Sequence, residues 1–340
     1  MKELEMTISR TAQSLVAPGK GILAADESLP TIEKRFAKIN VASTEENRRA
    51  YREVLITTEG MEDYISGVIL FDETIRQKTQ DGVPFVEVLS GRGIIPGIKV
   101  DQGTEEVPEA PGEKVTKGLD GLTQRLIAYR EMGARFTKWR AVYSIGPNLP
   151  SEYIIERNAQ GLSDYTWDSQ QALLASIVEP EVLMDGAHSI QKCEEVTTRV
   201  LTAVFKKLQE KGVDLSGMLL KPNMVLPGKD SGQKATPQEV AEATIRTLKN
   251  TVPTAVPGIV FLSGGQTPEQ ATKYLNEMNK VAGLPWQLSF SFGRALQDPV
   301  LETWNGRPEN VVEAQEAFLK RARLNSLARF GEYNLEMENG

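Results

Sequence analysis

The sequence is poor in the two side chains on which much enzyme chemistry depends. Its 340 residues include one histidine, His188, and one cysteine, Cys193. A catalytic zinc ion usually has three protein ligands, mostly histidine or cysteine, so a zinc-dependent enzyme is not expected. Ser-His-Asp and Cys-His arrangements would both depend on His188, which precedes a predicted helix and is more typical of a capping or surface residue. A single cysteine forms no intrachain disulfide, which fits a reducing compartment.

Long hydrophobic runs and an excess of positive charge are also missing. No stretch reaches the roughly 18 apolar residues of a membrane-spanning helix. The N-terminal segment MKELEMTISRTAQSL carries charges where a signal peptide has an apolar segment. The formal net charge is −7, which gives no electrostatic support for general binding to nucleic acid or to an anionic membrane. We therefore expect a cytoplasmic protein without a nucleic-acid or membrane partner.

The sequence does have a regular alternation of short apolar runs and long amphipathic segments. The runs that predict strands are 21–26, 65–73, 95–100, 134–142, 175–181, 217–223, 258–265 and 287–293. Helical patterns between them include 44–60, 118–133, 191–212 and 236–251. Strands that alternate with helices pair in parallel. Eight of them, with no linker-like composition, predict an α/β protein with one (β/α)₈ TIM-barrel domain over residues 1–340 and additional terminal helices. The last of these helices occupies about 307–340 together with a short polar tail after Tyr333.

Charged and polar side chains recur at the carboxyl ends of the predicted strands. In a barrel of this class the loops after the strands build the active site, so these residues should surround one cleft. They are Asp26, Asp72, Glu73, Lys99, Lys138, Arg140, Glu179, Glu181, Lys221, Ser263, Ser291 and Arg294. Strand ends meet water in any protein, but complementary charges on eight strands favour a functional cluster over simple solvation.

Lys221 ends the apolar run GMLLK, at a position where lysine is rarely buried. Nearby cations (Lys99, Lys138 and Arg140) should lower the pKa of its amine and give a neutral nucleophile. A lysine at a strand end can then form a Schiff base with a carbonyl substrate, while carboxylates transfer the protons. A structural ion pair with one of the two glutamates of the VEPE segment is the alternative.

Two glycine-rich turns predict an anion site after the last two strands. FLSGGQT places Ser263 and Gly264 there, and SFSFGRALQ places Gly293 and Arg294 there. Backbone N–H groups in such turns can approach a phosphate closely.

A second anion site is predicted on the opposite side of the barrel. Ser28, Thr31 and Arg35 follow the first strand, and Lys99 ends the third. Two phosphate sites on either side of a Schiff-base lysine predict a small bisphosphorylated ketose as the substrate.

Eight short motifs follow one another along the chain. They are GILAADES, SGVILFDET, GIKVDQG, FTKWRAV, IVEPEVL, LLKPNMV, FLSGGQ and FSFGRALQ. In this order they resemble class I fructose-bisphosphate aldolase over about residues 8–335. The resemblance implies a barrel fold, a Schiff-base mechanism without metal or cofactor, and a homotetramer. It also implies reversible cleavage of fructose 1,6-bisphosphate to dihydroxyacetone phosphate and glyceraldehyde 3-phosphate, in glycolysis, gluconeogenesis or the Calvin cycle.

The resemblance assigns a role to each of five residues. Lys221 matches the lysine that forms the iminium with the ketone carbon. Glu179 matches the acid/base that protonates the departing carbinolamine hydroxyl, and Glu181 matches a neighbour that sets the charge around the lysine. Asp26 matches the carboxylate that takes the proton from the C4 hydroxyl. Lys138 matches the lysine that supports charge development near the iminium.

The resemblance also implies two groups of phosphate ligands and shows two departures from the family pattern. The group at the ketone end comprises Ser263, Gly264, Gly293 and Arg294. The distal group comprises Ser28, Thr31, Arg35, Lys99 and Arg140. Pro30 stands where the family usually has glycine, and it removes a backbone donor from the distal loop. Arg135 stands where the family usually has aspartate, and it should add positive charge close to the fourth strand.

Two other interpretations stay open. One is a lysine-dependent barrel lyase acting on another sugar phosphate, although two phosphate sites argue against a monophosphate. The other is a non-catalytic protein on this fold, since a fold does not by itself define an activity.

Overall fold

Eight strands form a closed parallel barrel in the computed structural model, which describes the backbone of residues 2–339 and the side chains of residues 8–339. The barrel strands are β1 (Gly21–Ala25), β2 (Ile65–Leu70), β3 (Ile95–Lys99), β6 (Phe136–Tyr143), β7 (Ala175–Val182), β8 (Met218–Leu220), β9 (Gly258–Phe261) and β10 (Gln287–Phe292). Their order around the barrel is β1, β10, β9, β8, β7, β6, β3, β2, and β2 pairs with β1 to close it. The predicted (β/α)₈ fold is confirmed.

Helices connect the strands and cover the barrel. They are α1 (Lys2–Leu15), α2 (Leu29–Ala37), α3 (Glu45–Ile56), α4 (Asp72–Ile75), α5 (Phe85–Gly91), α6 (Leu122–Glu131), α7 (Glu152–Gln171), α8 (Ile190–Lys211), α9 (Pro237–Thr251), α10 (Pro268–Asn279), α11 (Arg294–Trp304) and α12 (Val311–Ala328). Both α9 and α10 begin with a capping box, formed by Thr236 with Glu239 and by Thr267 with Gln270, which satisfies backbone N–H groups at the helix start.

The last helix is shorter than the sequence pattern predicts. The pattern predicts one helix up to about Tyr333, but α12 ends at Ala328, and a separate 3₁₀ turn covers Leu335–Asn339. Gly331 has a φ of 71°, a left-handed conformation that ends the helix.

After β3 the chain forms a β-hairpin, which the sequence pattern does not predict. Its strands are β4 (Thr104–Val107) and β5 (Ala110–Thr116), and they pair in antiparallel fashion. Most of their side chains are exposed or half-buried, so the hairpin lacks the alternation of apolar and polar residues on which strand prediction depends.

The amino end of the barrel is filled by apolar side chains. Ile8, Ala12 and Leu15 of α1 pack in one cluster with barrel residues that include Phe136. A Cβ atom at Gly97 would lie 2.2 Å from the Phe136 ring, so glycine is required there to make room for the aromatic side chain. The opposite, carboxyl end of the barrel stays open.

Arg329 ties the two ends of the chain to the barrel wall. Its guanidinium donates hydrogen bonds to the carbonyl oxygens of Val16, Ala17, Lys20 and Leu288 and to Oε1 of Gln287. The side chain is buried, and burial lowers its pKa to about 10, so it remains charged at neutral pH.

Substitution of Arg329 by methionine should destabilise the protein, because four carbonyl oxygens lose a charged donor. We expect the free energy of unfolding to fall by about 3–5 kcal/mol. Denaturant unfolding followed by circular dichroism would measure the change. Arg135→Met is the matched control, since Arg135 is exposed and should change stability by less than about 0.5 kcal/mol. Equal stability of the two variants would contradict the role assigned to Arg329.

Candidate active site

One cleft of about 470 Å³ opens at the carboxyl end of the barrel. Every residue to which the sequence assigns a catalytic or phosphate-binding role lines it, from Asp26 after β1 to Arg294 at the start of α11. This convergence follows from the topology, because parallel strands deliver all their carboxyl ends to one side of the barrel.

Four buried charges alternate in sign at the base of the cleft. The Nζ atom of Lys138 lies 2.7 Å from Oδ2 of Asp26 and 3.0 Å from Oε2 of Glu179. The Nζ atom of Lys221 lies 3.2 Å from Oε1 of Glu179. The four side chains are 4–12% exposed, so these contacts are shielded from solvent and only weakly screened. We call Asp26, Lys138, Glu179 and Lys221 the charge cluster.

The surrounding charges keep Asp26, Lys138 and Glu179 ionised. Burial alone would raise the pKa of Asp26, but Lys138 and Lys221 outweigh burial and hold that pKa far below its usual range. The same balance lowers the pKa of Glu179. Burial would lower the pKa of Lys138, whereas Asp26 and Glu179 raise it well above its ordinary value. Asp26 is therefore available as a base at neutral pH.

Lys221 has a carboxylate as its nearest charged neighbour, where the sequence pattern emphasised cations. Glu179 is that neighbour, and Glu181 instead pairs with Arg140, with 2.5 Å between Nε of Arg140 and Oε2 of Glu181. Lys99 pairs with Asp101 at 2.6 Å. The structural alternative with Glu181 is therefore wrong, while the pair with Glu179 is compatible with both a structural and a catalytic lysine. That Lys221 reacts as a neutral nucleophile stays a prediction.

The two glycine-rich turns lie side by side on the cleft wall. Ser263 and Gly264 follow β9, and Gly293 directly precedes α11. A Cβ atom at position 264 would lie 2.7 Å from Oε1 of Glu181, so a larger residue there would displace that carboxylate. No side chain caps the start of α11, which leaves its first backbone N–H groups available to an anion.

Most of the residues predicted to bind the distal phosphate lie around the start of α2 and the end of β3. Ser28 and Thr31 bring their hydroxyl oxygens within 3.0 Å of each other. Pro30 lies in the first turn of α2, where its missing N–H costs no helical hydrogen bond, so it fits this loop. Arg35 differs from the other members, because its Nη2 atom lies 3.7 Å from the position of a Cβ at Gly293.

Several polar residues singled out in the sequence lie away from the cleft. Asp72 accepts hydrogen bonds from Arg76 and Tyr129, and Glu73 pairs with Arg48. Arg135 precedes β6 and therefore lies at the amino end of the barrel, so its charge does not reach the cleft. The expectation of a surface position for His188 is wrong, since it is buried, and Ser189 caps α8 in its place.

The structure adds cleft residues that sequence reasoning missed. They are Glu27, Lys34, Lys38 and Asp101, together with Gly103 and Thr104 beside the hairpin. Glu27 follows Asp26 directly, and Asp101 lies two positions after Lys99 on the same side of the chain. These adjacent positions are the only signal that the sequence offered for them.

Two kinds of site are absent from the part of the chain that the structure describes. Within residues 8–339 no group of three or more histidine, cysteine, aspartate or glutamate side chains is arranged to hold a metal ion. No helix in the described part of the chain is long and apolar enough to cross a membrane.

A barrel of this topology with lysines and carboxylates paired at its carboxyl end defines a (β/α)₈ enzyme. A family model described as "Fructose-bisphosphate aldolase class-I" matches residues 7–340. A probable fructose-bisphosphate aldolase class 1 of Xanthomonas axonopodis pv. citri is 54% identical over 327 residues, covering 96% of this chain and 98% of that protein. The cytosolic fructose-bisphosphate aldolase 6 of Arabidopsis thaliana is 55% identical over 340 residues, covering 98% and 95%.

Solved structures give the same result. The fructose-bisphosphate aldolase of Plasmodium falciparum, solved in complex with TRAP and a small-molecule inhibitor, superposes with a TM-score of 0.97 at 51% identity and covers 98% of this chain and 97% of its own. The chain belongs to the class I fructose-bisphosphate aldolase family. It is accordingly an aldehyde-lyase whose substrates are sugar phosphates.

Proposed function

We propose that the protein cleaves fructose 1,6-bisphosphate through a Schiff base on Lys221, without a metal ion or another cofactor. The observation that carries this proposal is the charge cluster, in which the Lys221 amine lies 3.2 Å from a carboxylate that can exchange protons with it. An amine, an acid/base and a second carboxylate are the groups that iminium chemistry requires.

The first half of the reaction builds the iminium. Lys221 passes a proton to Glu179, and its nitrogen lone pair forms a bond to the ketone carbon while the π electrons of the C=O bond move to the oxygen. A proton then moves from this nitrogen to the oxygen, which gives a carbinolamine. Glu179 then returns a proton to the hydroxyl group, which leaves as water while the C=N bond forms. Lys138, within 3.0 Å of Glu179, supplies positive charge beside the carboxylate at each stage.

The second half breaks the carbon–carbon bond. Asp26 takes the proton of the C4 hydroxyl, the electrons of the broken O–H bond form the second C4–O bond of the aldehyde, and the C3–C4 electrons move into the iminium to give an enamine. Protonation of the enamine carbon and addition of water then release dihydroxyacetone phosphate and restore the amine. Asp26 can accept this proton because its carboxylate is ionised at neutral pH.

We further propose that the two phosphates bind at opposite sides of the charge cluster. The phosphate next to the ketone fits the uncapped start of α11 and the turn at Ser263 and Gly264. The distal phosphate fits Ser28, Thr31, Lys99 and Arg140, which line the same cleft.

Borohydride reduction in the presence of dihydroxyacetone phosphate, followed by peptide mass spectrometry, tests the Schiff base. We expect a reduced adduct on Lys221, activity lost in proportion to the adduct, and full activity in the presence of EDTA. An adduct on Lys138, or no adduct in an active enzyme, would mean that Lys221 is a structural partner of Glu179.

A second candidate, a lysine-dependent lyase for another sugar phosphate, is tested by comparing substrates. Because two phosphate groups fit the cleft, kcat/KM should be higher for fructose 1,6-bisphosphate than for fructose 1-phosphate. The reverse order would favour the second candidate.

Cellular context and assembly belong to the same proposal. We propose a cytoplasmic enzyme of glycolysis, gluconeogenesis or the Calvin cycle, in which residues 1–340 form one domain and four copies form a homotetramer. The cytosolic aldolases among its relatives support the location. Sedimentation-velocity analysis would give the number of chains in the assembly.

A further inference from the structure

Glu27 is a buried carboxylate that the proposed chemistry does not use. It directly follows Asp26, and its side chain is 5% exposed. Its oxygens accept three hydrogen bonds, from Nη1 of Arg35 at 2.6 Å, from Nη2 of Arg52 at 2.6 Å and from Nε2 of Gln297 at 2.8 Å. The donors come from α2, α3 and α11, so this one side chain joins three helices beside the cleft.

The same contacts fix the direction of the Arg35 guanidinium. Nη1 is bound to Glu27, whereas Nη2 has no acceptor among the described residues and lies 3.7 Å from the Cβ position of Gly293. Gly293 directly precedes α11, whose first N–H groups have no side-chain cap. The donor that Arg35 leaves unused is therefore next to the backbone donors of the glycine-rich turn.

Arg35 keeps one free donor beside several carboxylates. Glu27 contacts two guanidinium groups, those of Arg35 and Arg52, whose side chains are 13% and 3% exposed. Asp26 and Asp298 lie close enough to raise the pKa of Arg35, but among the described residues only Glu27 forms an ion pair with it. A phosphate on the Nη2 side of Arg35 would accept a charge-assisted hydrogen bond from the free donor.

Gln297 connects Glu27 to the glycine-rich turn that precedes α11. Its Nε2 atom also donates to the carbonyl oxygen of Ala24, at the end of β1, at 2.6 Å, and its Oε1 atom accepts a hydrogen bond from Tyr51. Because Gln297 lies in the first turn of α11, this hydrogen bond connects the carboxylate directly to the start of the helix.

We propose that Glu27 is a positioning residue that holds Arg35 as a ligand for the phosphate next to the ketone carbon. This inference rests on the proposed function and changes one part of it, since Arg35 moves from the distal group to the ketone end. Glu27 acts only through Arg35, because both of its carboxylate oxygens already accept hydrogen bonds from protein groups, whereas Nη2 of Arg35 is free to donate.

The test compares Glu27→Gln, Arg35→Lys and the double variant with the wild-type enzyme. Each single variant should raise the KM for fructose 1,6-bisphosphate and the Kd for dihydroxyacetone phosphate by about 10-fold or more, the usual effect of losing a charge-assisted hydrogen bond. kcat should change little, as expected when binding is lost equally in the ground and transition states. The double variant should be no worse than the poorer single variant, because the two residues act as a unit.

Fructose 1-phosphate separates the two ends of the cleft. It carries only the phosphate next to the ketone, so the variants should raise its KM by the same factor as that of the bisphosphate. If the KM rose for fructose 1,6-bisphosphate but not for fructose 1-phosphate, Arg35 would be a ligand of the distal phosphate, and the proposal would be overturned. An unchanged Kd for dihydroxyacetone phosphate would also overturn it.

A matched control and a milder variant exclude a general loss of structure. Glu338→Gln removes the carboxylate partner of another buried arginine, Arg321, outside the cleft, and should leave the KM unchanged. If Glu27→Gln does not fold, Glu27→Asp retains the charge but withdraws it from Arg35, and should still raise the KM for both substrates. A wild-type enzyme that gives no borohydride adduct would reject the proposed function itself, whereas normal wild-type trapping with unchanged variants rejects only the role of Glu27.

Discussion

Replacement of Lys221 by methionine is expected to abolish cleavage and borohydride trapping together. Methionine has a similar length and fits the buried site, which is 4% exposed, but it has no amine to form the iminium. Because every later step proceeds through that covalent bond, kcat should fall by a factor on the order of 10⁴ or more. A coupled assay of triose phosphate release measures the loss.

The matched control for this prediction is Lys192→Met, which removes an exposed lysine that pairs with Glu195 on the surface. This control should retain wild-type activity. Residual cleavage by Lys221→Met within tenfold of wild type, with the fold intact, would contradict a covalent role for Lys221 and would favour the purely structural pair with Glu179.

The second large effect is expected from Asp26→Asn, and it should separate two halves of the reaction. Asparagine preserves the shape of the side chain but accepts no proton from the C4 hydroxyl. kcat for fructose 1,6-bisphosphate should therefore fall by about 10²–10⁴-fold, the usual contribution of a general base. Dihydroxyacetone phosphate has no C4 hydroxyl, so its borohydride adduct on Lys221 should still form.

The contrast between the two assays makes the Asp26 prediction specific. Asp26→Asn also removes one of the two carboxylates beside Lys138, which leaves Glu179 as the remaining partner. If that change disrupted the whole charge cluster, trapping would be lost along with cleavage. Parallel loss of both readouts would contradict a separate role of Asp26 in carbon–carbon bond breaking.

The architecture was predictable from the sequence because barrel strands are buried and apolar. Runs such as GIVF and MLL leave few alternatives, and alternation with long helices implies parallel pairing. The β4–β5 hairpin was not predictable on the same grounds, since most of its side chains are exposed or half-buried and many are polar. The end of α12 depended on the left-handed conformation of Gly331, which an amphipathic pattern does not reveal.

The candidate site was predictable as a set of residues but not as a network. Strand ends identify Asp26, Lys138 and Lys221 because topology alone brings them together. The partners of Glu27 lie 25 and 270 positions away in the sequence, at Arg52 and Gln297, and no local pattern connects them. The direction of the Arg35 side chain depends on that network. The sequence does not reveal the network, so Arg35 was grouped with its chain neighbours Ser28 and Thr31 at the distal phosphate.

The alternation of charges in the cluster also bears on how little the protein must rearrange during catalysis. Two lysines and two carboxylates form a continuous row in which each neighbouring pair is 2.7–3.2 Å apart. A proton that moves from Lys221 to Glu179 stays inside this row, so the total charge of the buried region is the same before and after the transfer. The barrel therefore solvates no new net charge at each proton transfer, and fixed neighbours do the work that reorienting water would do in solution.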